Sequence, residues 1–276
     1  MSNKKKINSK TNQRKKRFLA GIILLISCCL VLTLIIIIKP TIKPVYKIES
    51  KVEDVEKSKK ENTSEYKTIG WLKVQGTNID LPVIGFEDMN QTVPVELGNY
   101  AWNLDKEEKF TNKINIMGHN ILNLSSKPEV NLEYFSRFDD LMSFVYYDFA
   151  KENRYIQYTV DGKDYLYKIF AVDFETSYLV EMYHTGNHTK KEMKDLIKRY
   201  KEKSIYKYDV DVNEDDDIIS VMTCTRFFGT DRHITFMVNG RLVRENEKID
   251  NYKIEKSDNY KEVEKNMKGD EVNEEA

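Results

Sequence analysis

Apolar and polar residues alternate along "TIGWLKVQGTNIDLPVIGF", with turn residues at Gly76 and Pro82. A period of two broken by such residues predicts short strands joined by turns. "KINIMGHN" reads as another short strand, ending at Gly118-His119. "RYIQYTV" and "KDYLYKIFAVDFET" flank Asp161-Gly162, a dipeptide that favours a tight hairpin. "DDIISVMTC" and "RHITFMVNGRLV" predict two further strands on either side of the loop after Cys224. Two segments change period. "NLEYFSRFDDLMSFVYYDFA" places Leu132, Tyr134, Phe135, Phe138, Leu141, Met142 and Phe144 at helical spacing. "TKKEMKDLIKRYKEKSIY" gathers Met193, Leu196, Ile197 and Tyr200 on one face of a helix with lysines elsewhere. Many strands with interposed helices predict a mostly β, mostly antiparallel sheet or barrel over residues 66–244.

The flanks follow other patterns. Residues 1–17 carry Lys4, Lys5, Lys6, Lys10, Arg14, Lys15, Lys16 and Arg17 and no acid. Phe18 to Ile38 is uncharged over about 21 residues, enough for a helix of about 30 Å, the thickness of a bilayer core. A cleaved signal peptide has a shorter apolar run ending in small residues, whereas this one ends in Ile-Ile-Ile-Ile-Lys-Pro. The expectation is an uncleaved transmembrane anchor at 18–38, its basic arm cytoplasmic and everything after it extracellular. Residues 39–65 alternate charges and are expected to form a stalk, helical in part. Residues 245–276 are rich in Glu, Lys, Asp and Asn, and with so little to bury the expectation is a disordered tail.

Net charge is −1, so composition implies no nucleic-acid partner. Of three cysteines, Cys28 and Cys29 fall within the apolar span, leaving Cys224 as the lone extracytoplasmic thiol. In an oxidising compartment an odd cysteine is either a reactive or intermolecular thiol or a buried inert one. Cys224 ends the apolar run "IISVM" ahead of the polar loop "TRFFGTD", a rigid strand end suited to a nucleophile. A thiol is only a few per cent thiolate at neutral pH, so it needs a neighbouring imidazole or guanidinium.

Four histidines are available. His184 and His188 sit in a polar connection, and their i, i+4 spacing lacks a third metal ligand. His233 neighbours Arg232 in a strand and so faces the other way. His119 ends an apolar strand after a glycine, which suits either a structural histidine or a base. Arg232, eight positions after Cys224, opens a strand whose face carries Ile234, Phe236 and Val238. It is either a surface arginine or a rigid donor fork for an oxyanion or a substrate carbonyl.

Together these residues resemble the sortases, membrane-anchored cysteine transpeptidases of Gram-positive bacteria. The family's strand-end motif T-L-x-T-C is matched by "SVMTC", which keeps Thr223 and Cys224 but has Ser220 and Val221 at the first two positions. "IMGHN" matches the family's histidine context, and Arg232 matches its arginine. The helix "TKKEMKDLIKRYKEKS" ahead of the cysteine strand, the eight-residue Cys-to-Arg spacing and "NGRLV" are most similar to class B. The resemblance implies an eight-stranded β-barrel preceded by one transmembrane helix, with no metal or organic cofactor. It implies Cys224 as nucleophile, His119 as proton shuttle, Arg232 as carbonyl or oxyanion ligand, and Thr223 in support. The implied partners are secreted proteins bearing a C-terminal sorting signal, an amine of peptidoglycan or its precursor, and the lipid bilayer at 18–38. Pilin polymerisation, simple hydrolysis and an inactive tethered adaptor on the same scaffold remain open from sequence. The charged tail is not a feature of the family.

Overall fold

The computed structural model describes residues 45–62, 66–85, 101–103, 109–131, 137–176, 186–229 and 234–274. The expected span at 18–38 lies outside these, and no described helix is long and apolar enough to cross a membrane. Contacts divide the chain into Met1–Val45 and Tyr46–Ala276, and the elements below belong to the second unit.

Eight strands close into a barrel: β1 (Thr68–Val74), β2 (Asp80–Gly85), β3 (Ala101–Asn103), β4 (Lys113–Gly118), β5 (Tyr155–Val160), β6 (Lys163–Thr176), β8 (Ile218–Thr225) and β9 (Ile234–Leu242). Their order around the barrel is β1-β2-β3-β4-β8-β9-β6-β5, with β5 returning to β1. The expected hairpin forms at Asp161-Gly162. Val160 pairs Lys163, and both turn residues take positive φ, 51° and 66°, as a two-residue turn matched to strand twist requires. The expected antiparallel pairing holds at six of the eight seams. β2–β3 and β4–β8 are parallel. A parallel pair brings two strand ends together only through a long excursion of the chain, so local patterning carries no trace of it.

The amphipathic helix predicted before the cysteine strand is α3 (Lys190–Lys203). Thr189 caps it, accepting from the Glu192 amide while the Glu192 side chain accepts from the Thr189 amide. Met193, Leu196, Ile197 and Tyr200 are buried. The other predicted helix differs. Arg137–Val145 winds as a 3-10 helix, a break follows at Tyr146, and the short α2 spans Tyr147–Glu152. Residues 138–145 are buried on every side, so no single apolar stripe at 3.6-residue spacing is demanded of them.

Beneath α3 a polar row crosses β4, β8 and β9, with Asn115 beside Ser220 and Ser220 beside Asn239. Lys113 Nζ donates to Asn115 Oδ1 and, at 2.8 Å, to Ser220 Oγ. Ser220 Oγ donates to Asn239 Oδ1 (2.5 Å), and Asn239 Nδ2 donates to Asp173 Oδ2 (2.8 Å). Burial pulls the Lys113 ammonium down to about 7 and raises the Asp173 carboxyl well above its ordinary range.

Two flanking expectations change. Part of the expected stalk packs on the barrel instead of standing free. The Tyr46 ring meets Tyr155 at 5.4 Å, and Gln157 Nε2 donates to the Glu49 carbonyl at 2.6 Å. α1 (Val52–Lys59) buries Val55, and Ser58 Oγ lies 2.9 Å from Thr68 Oγ1. The expected disordered tail is instead built on the barrel through most of its length. Tyr252 Oη donates to the carbonyls of Arg154 and Ile169 at 2.6 and 2.9 Å. β10 (Ile254–Lys256) pairs with β7 (Tyr206–Tyr208), and α4 (Tyr260–Glu274) follows with Tyr260 and Val263 buried. Tyr252 and Ile254 share a strand period, and Tyr260 and Val263 a helix period. Four anchors and main-chain bonds suffice on a preformed surface, and mean composition does not register them.

Candidate functional site

β8 runs through the barrel wall between β4 and β9. Seven of its eight residues are buried, and the exposed one is Cys224. Cys224 is a free thiol. Strand alternation puts it on the face of Ser220 and Met222, while Val221, Thr223 and Thr225 turn the other way. Partial desolvation raises the thiol above its ordinary value.

The parallel pairing of β4 with β8 assembles the rest. Gly118, the last residue of β4, is in register with Thr223, and the residues that follow them are His119 and Cys224. Thr223 Oγ1 locks this junction by donating to the Gly118 carbonyl at 2.6 Å. Gly118 packs where no side chain fits, since a Cβ there would lie 2.1 Å from Phe138 Cγ. Trp102, on β3 opposite Met117, presents an edge to the His119 ring at 4.9 Å. His188 belongs to the opposite end of β4, where its amide donates to Asn112 Oδ1. Arg232, His184 and His233 lie outside the described residues.

Two contributors were not singled out in the sequence. Asn120 Nδ2 donates to the Cys224 carbonyl at 3.0 Å and to the Asn123 carbonyl at 3.1 Å, tying the segment after His119 to the end of β8. Its signal was adjacency to His119 in "GHN". Asp139 holds the same segment from below, accepting from the amides of Ile121 (2.7 Å) and Leu122 (3.3 Å). No local pattern marks it, because its partners are 17 and 18 residues away.

Burial outweighs those amide donors and lifts the Asp139 carboxyl from 3.8 to about 6. The folded protein therefore holds this proton more tightly than the unfolded chain does. The resulting stability is fully present below about 3.8 and is lost as pH rises through 6. In Asp139→Asn, the stability gap to wild type is expected to shift by roughly 2 kcal/mol in the variant's favour between those pH values. Denaturant titrations across that range test this, and a gap independent of pH would refute it.

A side chain at a strand end, accessible on one side and fixed by its neighbours on the other, can act as a positioned nucleophile. An imidazole just past the end of the adjoining strand is the residue type that exchanges protons in such chemistry.

No family model matches the chain, and no curated protein matches it. Solved structures do. The X-ray structure of Clostridium perfringens sortase B is similar at 24% identity over 68% of this chain and 100% of that chain, with a TM-score of 0.54. Sortase B from the type II pilus of Streptococcus pneumoniae matches at 20% identity over 71% and 98%, with a TM-score of 0.52. The Staphylococcus aureus sortase B–substrate complex matches at 16% identity over 70% and 83%, with a TM-score of 0.51. The chain has the sortase fold, a closed eight-stranded barrel with helices between strands.

Proposed function

We propose that this chain, a class B sortase in its fold, is a membrane-anchored cysteine transpeptidase. The observation that carries the reading is the exposed, free Cys224 on an otherwise buried strand, directly after the Gly118–Thr223 register pair, with His119 directly after Gly118 on the parallel neighbour. Cys224 Sγ gives its proton to His119 and attacks a backbone carbonyl within the sorting signal of a secreted protein. The C–N bond breaks as His119 protonates the leaving amine, giving a thioester. An amine of peptidoglycan or its precursor then attacks the thioester and loses its proton to His119, which passes it to the departing Cys224 sulfur and so restores the thiol. Arg232, two positions before β9 in sequence, orients the substrate carbonyl or receives the oxyanion. Thr223 supports the junction through its bond to Gly118. Residues 18–38 anchor the chain with its N-terminus cytoplasmic and the barrel extracellular.

A fluorogenic library of sorting-signal pentapeptides, assayed with and without triglycine as acceptor, tests the reading. The expected result is an acyl adduct on Cys224 by intact mass and a product that incorporates triglycine. Hydrolysis indifferent to the amine would make the protein a peptidase. Neither adduct nor turnover across the library would leave a non-enzymatic adaptor.

A further inference from the structure

α4 touches the loop that follows Cys224. Asn266 Nδ2 donates to the Phe227 carbonyl at 2.6 Å, three residues beyond the cysteine. That loop is otherwise braced from within. Phe227 donates its amide to Thr225 Oγ1 at 3.1 Å, and Gly229 donates to the Arg226 carbonyl at 2.8 Å. Gly229 takes φ 119°, a conformation side chains rarely adopt, so the turn is tight and specific. The Phe227 ring stacks on Phe174 at 5.2 Å and meets Phe228 edge-on at 4.8 Å.

The helix that supplies Asn266 is itself firmly seated. Ser257 Oγ donates to the Ser204 carbonyl (2.7 Å) and Asn259 Nδ2 to the Glu202 carbonyl (2.8 Å), joining the start of α4 to the end of α3. Tyr260 and Val263 are 4% and 1% exposed, and Asn266 lies three residues after Val263 on the same face. The buried residues place the helix, and the amide at its barrel-facing side reaches the loop.

We infer that Asn266 is a positioning residue for the Cys224 loop, and that the C-terminal segment is part of the catalytic apparatus. The inference rests on the transpeptidase reading above. Without the amide, the Phe227 carbonyl loses its donor and the main chain leading out of Cys224 loses its tie to α4, so it can shift within the bracing that remains. A small drift costs reaction rate more than binding, because attack requires close alignment of sulfur and carbonyl.

Full-length protein with Asn266→Ala, Asn266→Asp and Val263→Ala separates this from a purely structural helix. Asparagine and aspartate have the same shape, but a carboxylate cannot donate to a carbonyl. Both Asn266 variants are expected to lose about 10-fold in kcat with KM within about twofold of wild type. Both should also change the rate at which iodoacetamide alkylates Cys224 by about threefold or more. Val263→Ala should lower the melting temperature while keeping kcat and the alkylation rate. Wild-type kcat and alkylation in the Asn266 variants would overturn the inference, as would equal kcat losses in all three. If wild type turns over no peptide, the transpeptidase reading fails, while the alkylation rates still decide whether Asn266 positions the loop.

Discussion

Cys224→Ala is expected to abolish turnover of any sorting-signal peptide that wild type cleaves, with a loss of at least about 10³-fold in kcat/KM. The side chain is the exposed member of a strand whose other residues are buried, so its removal opens no core cavity. The variant should melt within about 2 °C of wild type, which distinguishes lost chemistry from lost structure. Cys224→Ser should be nearly as inactive, since a hydroxyl is a far weaker nucleophile than a thiol in the same place. Desolvation raises the thiol, which disfavours the thiolate and increases the need for a base at the moment of attack. His119→Ala should therefore remove most activity while leaving Cys224 open to alkylation at alkaline pH. Wild-type cleavage by Cys224→Ala would end the proposed mechanism.

Gly118→Ala is the second large effect, and it acts through packing. The added methyl would lie 2.1 Å from Phe138 Cγ and 2.3 Å from its Cδ2, in a place where Phe138 is fully buried. Neither the ring nor β4 can retreat cheaply, because β4 is hydrogen-bonded to β3 and β8 on its two sides. Overpacking of this kind costs roughly 3 kcal/mol, which for a domain of this size lowers the melting temperature by about 10 °C. Activity should fall as well, since the Gly118 carbonyl receives the Thr223 hydroxyl and the next residue is His119. The double variant Gly118→Ala/Phe138→Leu should recover part of both losses, because it removes the ring the methyl would strike. Additive losses in that pair would show that the ring is not the cause.

Periodicity alone located most of the barrel strands and α3, because half-buried strands and amphipathic helices advertise their buried face at fixed intervals. The Asp161-Gly162 turn was equally legible, since few dipeptides tolerate positive φ twice. The resemblance in "SVMTC" and "IMGHN" singled out Cys224, Thr223 and His119 without any geometry. Asn120 and Asp139 escaped notice because their work is done across the fold, on the Cys224 carbonyl and on the amides of Ile121 and Leu122. The C-terminal segment misled through its average. Tyr252, Ile254, Tyr260 and Val263 are few among many charges, yet each lands on a surface the barrel had already made.

By itself, then, the sequence determined most of the barrel strands and the amphipathic helix before the cysteine strand, and it singled out Cys224. Those properties depend on neighbours within a turn or two of the chain. Only the tertiary structure decided that β4 and β8 run parallel, so that strands about a hundred residues apart end on the same side of the barrel. That pairing turns "GHN" and "TCT" into one site. Its register is settled by cooperative burial around a closed wall, where a slip of one residue would turn every side chain of the strand to the wrong face.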